Sequence, residues 1–299
     1  MVVLAFLVLT ISAGWISRSP APEYAPASAG PGAVSGAGAP LPPSAPPASG
    51  GGPGSDRLVE LTVMSYNIHH GVGIDGRLDL GRIAQVIRDS GADIIGLQEV
   101  DKRFGPRSGW TDQAKRLSEI LGTDYVYGPA LKGIQSFPSW FRGYGNALLT
   151  KYPILEIENV PLKRKGTRED RAFVRAIIDV RGVPVNVVVT HLGLSKEERL
   201  EHARELAGYI GSLQGPVVVM GDWNAVPGSE EVEIVLGSLG LKDAAKAHDG
   251  SNGYTFEYRS PPRGEPNVRI DYIFVSDHLE VAETTVIETS ASDHRPVVS

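Results

Sequence analysis

The chain has 299 residues and a net charge of −6, with 29 Lys or Arg, 35 Asp or Glu and no Cys. The lack of Cys excludes a disulfide framework, a thiolate metal site and a thiol nucleophile. Arg18, Glu23 and Asp56 are the only charged side chains up to position 56, which leaves 28 basic and 33 acidic residues, a net charge of −5, for the remainder. This balance argues weakly against an enzyme that tracks along DNA, because nucleic-acid-binding surfaces are usually basic.

The first 56 residues differ in composition from the rest. Residues 1–17 carry no charged side chain, and residues 2–16 are almost wholly apolar. This run is shorter than the ~20 residues that span a bilayer, and no basic residue precedes it as in a standard signal peptide. We interpret it as an atypical signal peptide, a signal anchor or the end of a membrane segment rather than a buried core helix, because a predicted linker follows it. We expect a membrane-anchored or secreted, extracytoplasmic protein. Residues 18–56, rich in Pro, Ala, Gly and Ser, predict a disordered linker.

Residues 57–299 alternate strand-like apolar runs with amphipathic helices. A capping box of Ser195 and Glu198 opens the longest predicted helix. The order of elements predicts an α/β layered domain with sheets inside and helices outside. In chain order the pattern predicts strands at 61–66, 93–98, 146–150, 172–180, 184–190, 216–220, 269–276 and from 296 onward, and helices at 82–90, 112–121, 195–213 and 229–237.

Polar residues recur at the ends of the predicted strands. A single acid at the end of a strand is most often a turn former or a helix cap, but strands that end on the same side would bring the whole set together. The set is rich in oxygen donors and lacks the closely spaced His or Cys that zinc prefers, so it favours a hard cation such as Mg²⁺ and phosphoester chemistry. Its members are Asn67, Glu99, His191, Asp222, Asn224, Asp271, Asp293 and His294.

Seven segments resemble, in order, the signatures of the endonuclease/exonuclease/phosphatase superfamily: SYNIHHG, GLQEVD, GNALLTKYPI, VVTHLG, GDWNAVPGS, RIDYIFVS and SDHRPVV. The resemblance covers the chain from residue 61 to its end. It implies a four-layer α/β/β/α sandwich, two packed mixed sheets flanked by helices, with the site at one end of the facing sheets. The wording is most similar to the bacterial metal-dependent hydrolase group, which is similar in turn to a hydrolase-like domain of eukaryotic proteins associated with glycosylphosphatidylinositol lipid remodelling.

The resemblance also implies metal ligands. Glu99 would be the principal ligand of Mg²⁺, with Mn²⁺ or Ca²⁺ as alternatives. Asn67 would lie beside it, and Asp293 would add a contact to the metal or to its surroundings.

Roles in catalysis follow from the same resemblance. Asp222 and Asn224 would hold and activate the attacking water and contact the phosphate. His294, oriented by Asp271, would bond a phosphate oxygen or act in acid–base work. His191 would supply a second imidazole, as in the secreted nuclease and sphingomyelinase branches.

Nearby residues have two interpretations each. Of the adjacent His69 and His70, strand alternation lets only one point inward, and His69 is our candidate for substrate binding. Asn146 either contacts substrate or forms a turn before a strand. Arg168 and Arg171 belong to a charged run that is either solvated surface or the source of an arginine that grips a phosphate.

The loop aromatics Trp110, Trp140 and Phe141 either form a lip that faces substrate or lipid, or pack under a loop. We expect a monomeric hydrolase of phosphodiester or phosphomonoester bonds, with a lipid or a small phosphodiester as substrate. A secreted or tethered nuclease is the alternative. A catalytically silent binding module is disfavoured, because every signature residue is present.

Overall fold

The computed structural model describes residues 23–25, 59–130, 141–165, 169–245, 253–258 and 266–299. Its strands are β1 (Glu23–Ala25), β2 (Val63–Asn67), β3 (Ile94–Lys102), β4 (Asp124–Pro129), β5 (Gly143–Thr150), β6 (Ile154–Pro161), β7 (Ala172–Val180), β8 (Val183–His191), β9 (Val217–Asp222), β10 (Lys242–Asp243), β11 (Asp271–Val275), β12 (Thr285–Val286) and β13 (Val297–Val298). Its α-helices are α1 (Leu80–Asp89), α2 (Gln113–Leu121), α3 (Lys196–Ile210) and α4 (Glu230–Leu236).

The strands form two mixed sheets. Within the described residues, the first sheet has the order β1-β4-β5-β3-β2-β13-β12 and the second has the order β10-β11-β9-β8-β7-β6. Most neighbours are antiparallel, but β2 pairs with β3 and β8 pairs with β9 in parallel. Helix α1 connects the first parallel pair and α3 connects the second, as parallel pairing requires a crossover.

Three apolar cores separate four layers. One core lies between the sheets and is made of side chains such as Ile94, Leu148, Val187 and Met220. A second fills the space between the first sheet and helices α1 and α2, and a third lies between the second sheet and helices α3 and α4. The predicted α/β/β/α sandwich is therefore confirmed. Among the residues that the structure describes, those of the three cores lie between positions 59 and 298.

Side chains at the helix starts explain where the helices begin. Asp79 accepts the backbone N–H of Gly81 and Arg82, and Asp112 accepts that of Lys115. Ser195 accepts the N–H of Glu198, which is one half of the predicted capping box, whereas Glu198 Oε1 accepts the backbone N–H of Lys165. Each cap satisfies backbone donors that the first helical turn leaves without a partner.

The strand directions bring the site residues to one end of the sandwich. The carboxyl ends of the parallel strands lie on the same side, where open α/β sheets bind ligands. There Asp222 is in register with His191 on one side and with Asp271 on the other. Asn67 at the end of β2 is in register with Gln98, directly before Glu99.

Several elements differ from the sequence prediction. Strand β3 continues to Lys102, four residues beyond the predicted end at 98, because a bulge carries the pairing past Glu99. The pattern missed β10 and β12, which have two residues each, and β6, which lies at the edge of its sheet with mostly half-exposed or exposed side chains and so lacks a continuous apolar run. It also missed β4, which is buried but whose sequence DYVYGP contains Asp, Gly and Pro, residues that are depleted in strands.

The first 58 residues are described only at β1. This strand pairs with β4 although it lies inside the predicted linker. The apolar segment 1–17 and the rest of the linker lie outside the described residues. Among the residues that the structure describes, no helix is long and apolar enough to cross a membrane.

Candidate active site

The side-chain amide of Asn67 lies at the centre of the polar cluster. Its Nδ2 is 3.2 Å from Glu99 Oε1, 3.0 Å from Asp222 Oδ2 and 3.5 Å from His294 Nε2. The backbone N–H of His69 donates to Asn67 Oδ1 at 3.0 Å, which fixes the orientation of the amide. Residues more than 220 positions apart in the chain thus meet at one amide group.

Glu99 occupies the bulge in β3, with φ +58°. A residue other than Gly rarely adopts this left-handed conformation, which costs of the order of 1 kcal/mol and clusters at functional sites. The bulge turns the Glu99 carboxylate towards Asn67, and its Oε2 lies 4.0 Å from His70 Nδ1. Bulges commonly re-aim a side chain beside an active site.

Asp222 forms the second centre of the cluster. Its Oδ1 accepts the backbone N–H of Asn224 at 2.9 Å, and its Oδ2 lies 3.3 Å from His191 Nε2. Asn224, with φ +50°, turns back so that its Nδ2 donates to the Leu192 carbonyl at 3.1 Å and lies 3.1 Å from His191 Nε2. Burial and the neighbouring charge of Asp271 raise the pKa of Asp222 to about 7.

His294 and Asp271 form a buried pair. His294 Nδ1 lies 2.9 Å from Asp271 Oδ2, and its Nε2 lies 3.7 Å from Asp222 Oδ2. Burial lowers the pKa of His294, but the carboxylates of Asp271 and Asp222 outweigh it and raise the pKa to about 10. Phe256 packs on the imidazole with 4.5 Å between ring centroids, and so holds the ring plane.

Arg171 contacts the Nδ1 side of the His191 imidazole, away from Asp222. Its Nη1 lies 3.2 Å from His191 Nδ1 and 3.3 Å from the Tyr144 hydroxyl, and both Nη atoms donate to the Glu169 carboxylate. Because a guanidinium only donates, Nδ1 of His191 accepts and its Nε2 carries the proton. Burial and the charge of Arg171 hold the pKa of His191 well below its usual value, so this imidazole is neutral.

Asn146 lies next to this arrangement. It donates to the Ala172 carbonyl at 2.8 Å, and lines a small pocket with Tyr144, Arg171 and His191. Arg171 is buried, with 4% of its surface exposed, so the interpretation of this residue as solvated surface is wrong. Its guanidinium is oriented by the two hydrogen bonds that it donates to the Glu169 carboxylate.

The two adjacent histidines do not alternate along a strand, because β2 ends at Asn67. Both are in a short 3₁₀ turn with φ near +43°, and both lie at the mouth of the cluster. His69 Nδ1 is 3.7 Å from Asp293 Oδ1, whereas His70 faces Glu99. The argument that only one of them can point inward is therefore wrong. Burial, and after it the neighbouring His69, lowers the pKa of His70 to about 4.

The structure thus brings the predicted site residues to one end of the sandwich. Arg168 and Trp140 lie outside the described residues. The sequence pattern missed Tyr144, Glu169 and Phe256, together with Ser292, which donates to the Asn67 carbonyl and accepts from the His294 N–H. Of these four residues, only Ser292 could have been suspected from the sequence, because it lies two residues before His294.

The donor set fits a hard divalent cation. Glu99 and Asp222 both lie within 3.2 Å of the Asn67 amide, and these oxygen-bearing groups are the kind that Mg²⁺ selects. Asp222, Asp271 and His294 form a second set whose ligand atoms lie within 4.8 Å of one another. Among the described residues, the buried Asp271 Oδ1 has no hydrogen-bond partner, which suits a site completed by a cation or its water.

Solved structures support the fold. A structure of an endonuclease/exonuclease/phosphatase protein from Beutenbergia cavernae is 27% identical, with a TM-score of 0.67 over 81% of this chain and 71% of that chain. A mannosyl-6-phosphatase from Bacteroides thetaiotaomicron is 22% identical, with a TM-score of 0.61 over 80% of this chain and 98% of that one. Truncated TDP2 from Caenorhabditis elegans is 23% identical, with a TM-score of 0.58 over 80% of this chain and 95% of that one.

A search of curated protein sequences finds no match. The model of the Endonuclease/Exonuclease/phosphatase family, in contrast, matches residues 64–294, which is most of the described domain and contains every site residue named above. Members of this family are generally phosphoester hydrolases. The chain belongs to the Endonuclease/Exonuclease/phosphatase family.

Proposed function

We propose that this protein is a phosphodiesterase that depends on a divalent cation, with Mg²⁺ as the physiological metal, and that it acts on a lipid or a small phosphodiester. The observation that carries the proposal is that Asn67, Glu99, Asp222 and His294 meet in one cluster with contacts of 3.0 to 3.7 Å. Glu99 is half-buried and the other three are buried. Such a set offers acceptors for a cation and proton-transfer groups for a water molecule in the same place.

Asp222 is suited to deprotonate the attacking water. The backbone N–H of Asn224 fixes one of its oxygens, and the other faces the cluster. A pKa of about 7 makes the carboxylate a stronger base than an ordinary aspartate and still leaves much of it ionised near neutral pH. Asn224 would position the water or a phosphate oxygen.

His294 is suited to donate to a phosphate oxygen. With its pKa raised to about 10 it carries both ring protons at neutral pH, one of them bonded to Asp271 and the other at Nε2, facing the cluster. His191 presents a neutral Nε2–H from the opposite side, held by Arg171. Two N–H donors would thus stabilise the charge that develops on the phosphate.

Glu99 would hold the cation, with Asp293 at the exposed side of the site. Asn67, predicted as a second ligand, turns its Nδ2 towards Glu99 and Asp222 while its Oδ1 accepts the His69 N–H, so it would instead orient the two carboxylates. A bound Mg²⁺ polarises the phosphoryl oxygen and neutralises developing charge. Mn²⁺ or Ca²⁺ would be the alternatives. His69 and Asn146 would contact substrate at the two ends of the cluster.

The choice of substrate rests on features outside the cluster. The acidic net charge and the apolar segment 2–16 favour a lipid or small phosphodiester at a membrane. We propose accordingly that the protein is membrane-anchored or secreted, outside the cytoplasm, and monomeric. Among the similar structures, a mannosyl-6-phosphatase favours phosphomonoesters. The family description also names endonucleases and exonucleases, so a tethered nuclease is the second candidate.

The test is a substrate screen with the purified protein and Mg²⁺. It includes bis-p-nitrophenyl phosphate, p-nitrophenyl phosphate, plasmid DNA, sphingomyelin and phosphatidylinositol. Turnover should require the metal, and Glu99→Ala or His294→Ala should abolish it while the protein stays folded. His278→Ala, which removes an exposed imidazole outside the cluster, is the matched control. Unchanged turnover in both site variants would reject the proposal.

A further inference from the structure

An exposed group of aromatic and basic side chains stands beside the candidate site, and we call it the rim patch. Trp110 is 55% exposed and Phe141 is 37% exposed, although large apolar side chains are normally covered. The patch consists of Arg103, Phe104, Arg107, Trp110, Phe141 and Arg142.

The arginines of the rim patch lie over the faces of the aromatic rings. The guanidinium of Arg142 is 5.1 Å from the Trp110 centroid, and that of Arg103 is 5.7 Å from the Phe141 centroid. The stacking itself neutralises no charge, although the guanidinium of Arg107 also donates to both oxygens of the Asp101 carboxylate at 2.9 and 2.7 Å. Basic and apolar side chains therefore alternate over this rim of a protein with a net charge of −6.

The backbone holds Trp110 outward at a cost. Trp110 has φ +57°, an unfavourable conformation for a bulky residue. The backbone N–H of Trp110 donates to the Gly105 carbonyl at 3.0 Å across the 3₁₀ turn of Pro106–Ser108. The loop is therefore built to present the indole rather than to bury it.

The rim patch lies at the end of the sandwich where the site opens. Strand β3 runs three residues past Glu99 to Lys102, which pairs with Gly143 at the start of β5. The loop that begins at Arg103 and the pair Phe141–Arg142 flank this pairing on either side. Arg107 continues the patch inward, because its guanidinium lies 5.6 Å from the Tyr144 ring centroid beside the pocket of Arg171.

The N-terminal chain enters the domain at the same end. In β4 the site end is Pro129, which pairs with Gly145 of β5. Because β1 is antiparallel to β4 and Glu23 pairs with Tyr127, the chain enters β1 from the site end. Six residues, 17–22, separate Glu23 from the apolar run, a length that reaches roughly 20 Å at most.

We propose that the rim patch docks this domain onto a bilayer that contains anionic phospholipid, with the mouth of the site facing the membrane. Trp and Phe rings settle at the headgroup level of a bilayer, and Arg binds lipid phosphates there. We prefer a membrane to a single-stranded nucleic acid because the chain that follows the apolar run 2–16 enters the domain at this same end and because the net charge of the protein is acidic. That the docked lipid is also the substrate rests on the proposed function, whereas the docking does not.

The experiment measures binding to vesicles of phosphatidylcholine with phosphatidylglycerol. It uses residues 18–299, which retain β1 and the three cores as the structure describes them but lack the apolar run. The affinity of the double variant Trp110→Ala, Phe141→Ala for the vesicles should be lower by about 10-fold or more, because two large apolar side chains no longer enter the interface. Wild-type binding should also fall with added salt and with pure phosphatidylcholine vesicles.

The matched control removes similarly exposed apolar groups from the opposite end of the sandwich. Leu155 and Val183 are 59% and 42% exposed there, and the double variant Leu155→Ala, Val183→Ala should bind vesicles as the wild type does. Equal vesicle binding by both double variants would overturn the proposal. Binding to single-stranded DNA is measured in parallel, and a Trp110→Ala, Phe141→Ala variant that lost DNA binding but kept vesicle binding would overturn it as well.

Hydrolysis of bis-p-nitrophenyl phosphate is measured in parallel and should be unchanged in both double variants. Loss of vesicle binding without any hydrolysis by the wild type would refute the proposed function and leave the docking intact. Hydrolysis without vesicle binding by the wild type would do the reverse.

Discussion

The replacement of Asp271 by Asn tests the electrostatic part of the site. Asn has the shape of Asp and keeps an oxygen that can accept from His294 Nδ1, but it lacks the charge. The rise in the pKa of His294 from 6.5 to about 10 corresponds to a preference for the imidazolium of roughly 5 kcal/mol, at about 1.4 kcal/mol for each pH unit. Asp271 at 2.9 Å is closer than Asp222 at 3.7 Å, so we assign the larger part to Asp271.

Both limbs of the pH profile should therefore move in the same direction. The acid limb reports the loss of a proton from Asp222, whose pKa of about 7 results from burial first and from the charge of Asp271 second. The basic limb reports the loss of the His294 proton. Without the charge at position 271 both pKa values fall, and the optimum of kcat/KM shifts to lower pH.

The assay is hydrolysis of bis-p-nitrophenyl phosphate from pH 5 to pH 10 at saturating Mg²⁺. Above neutral pH we expect kcat/KM to fall by about 100-fold or more, the usual scale for loss of acid–base catalysis. Asp277→Asn makes the same chemical change in an exposed residue and should leave the profile alone. An Asp271→Asn protein with the wild-type optimum and rate would refute the assignment of His294 as an imidazolium.

Three further changes have distinct readouts. Glu99→Gln should raise the Mg²⁺ concentration for half-maximal activity by about 10-fold or more with the melting temperature unchanged, measured by metal titration. Gly96→Ala should cost about 1–3 kcal/mol in urea unfolding, because a Cβ would lie 2.5 Å from Met220 Sδ. The double variant Gly96→Ala, Met220→Ala should then lose less free energy of unfolding than the sum of the losses of the two single variants. Burial lowers the pKa of His202, so the wild type should lose stability as pH falls below 6.5, by at most about 1.4 kcal/mol per pH unit. His202→Gln should flatten that slope in thermal melts.

The sign for His202 follows from its contacts. Its Nδ1 accepts the N–H of Gly193 and its Nε2 lies 2.9 Å from the Lys163 carbonyl, which requires a neutral ring with the proton on Nε2. The unfolded chain takes up a proton near pH 6.5, whereas the folded chain resists it to lower pH. The stability is therefore complete above the unfolded pKa and is lost as the pH falls towards the folded one.

The sequence was sufficient where a residue's position along a strand determines its place in space. Asn67, His191 and Asp222 end buried apolar runs, and parallel pairing carries such ends to one rim. The same logic predicted four layers, because two groups of strands with helices on their outer faces have few other ways to bury their apolar sides.

Other features depend on long-range pairing that no local pattern records. Strand β6 has mostly half-exposed or exposed side chains and lies at the edge of its sheet, so its run does not look apolar. Burial of Arg171 could not be foreseen either, because the charged run around it is typical of solvated surface. Glu169 and Tyr144 supply partners for its guanidinium only once β5 and β7 lie in opposite sheets.

Backbone strain connects these local and long-range effects. Glu99, Asn224, His69 and His70 all have positive φ, and all four lie in the cluster or at its mouth. Elsewhere in a strand or turn such conformations would favour Gly, so the sequence carries residues that local energetics disfavours. Each strained residue offers a carboxylate, an amide or an imidazole, which Gly could not provide. The fold therefore gives up a few kcal/mol of local stability at the same positions where the side-chain chemistry is concentrated, as expected when a site is built for a ligand and not for packing.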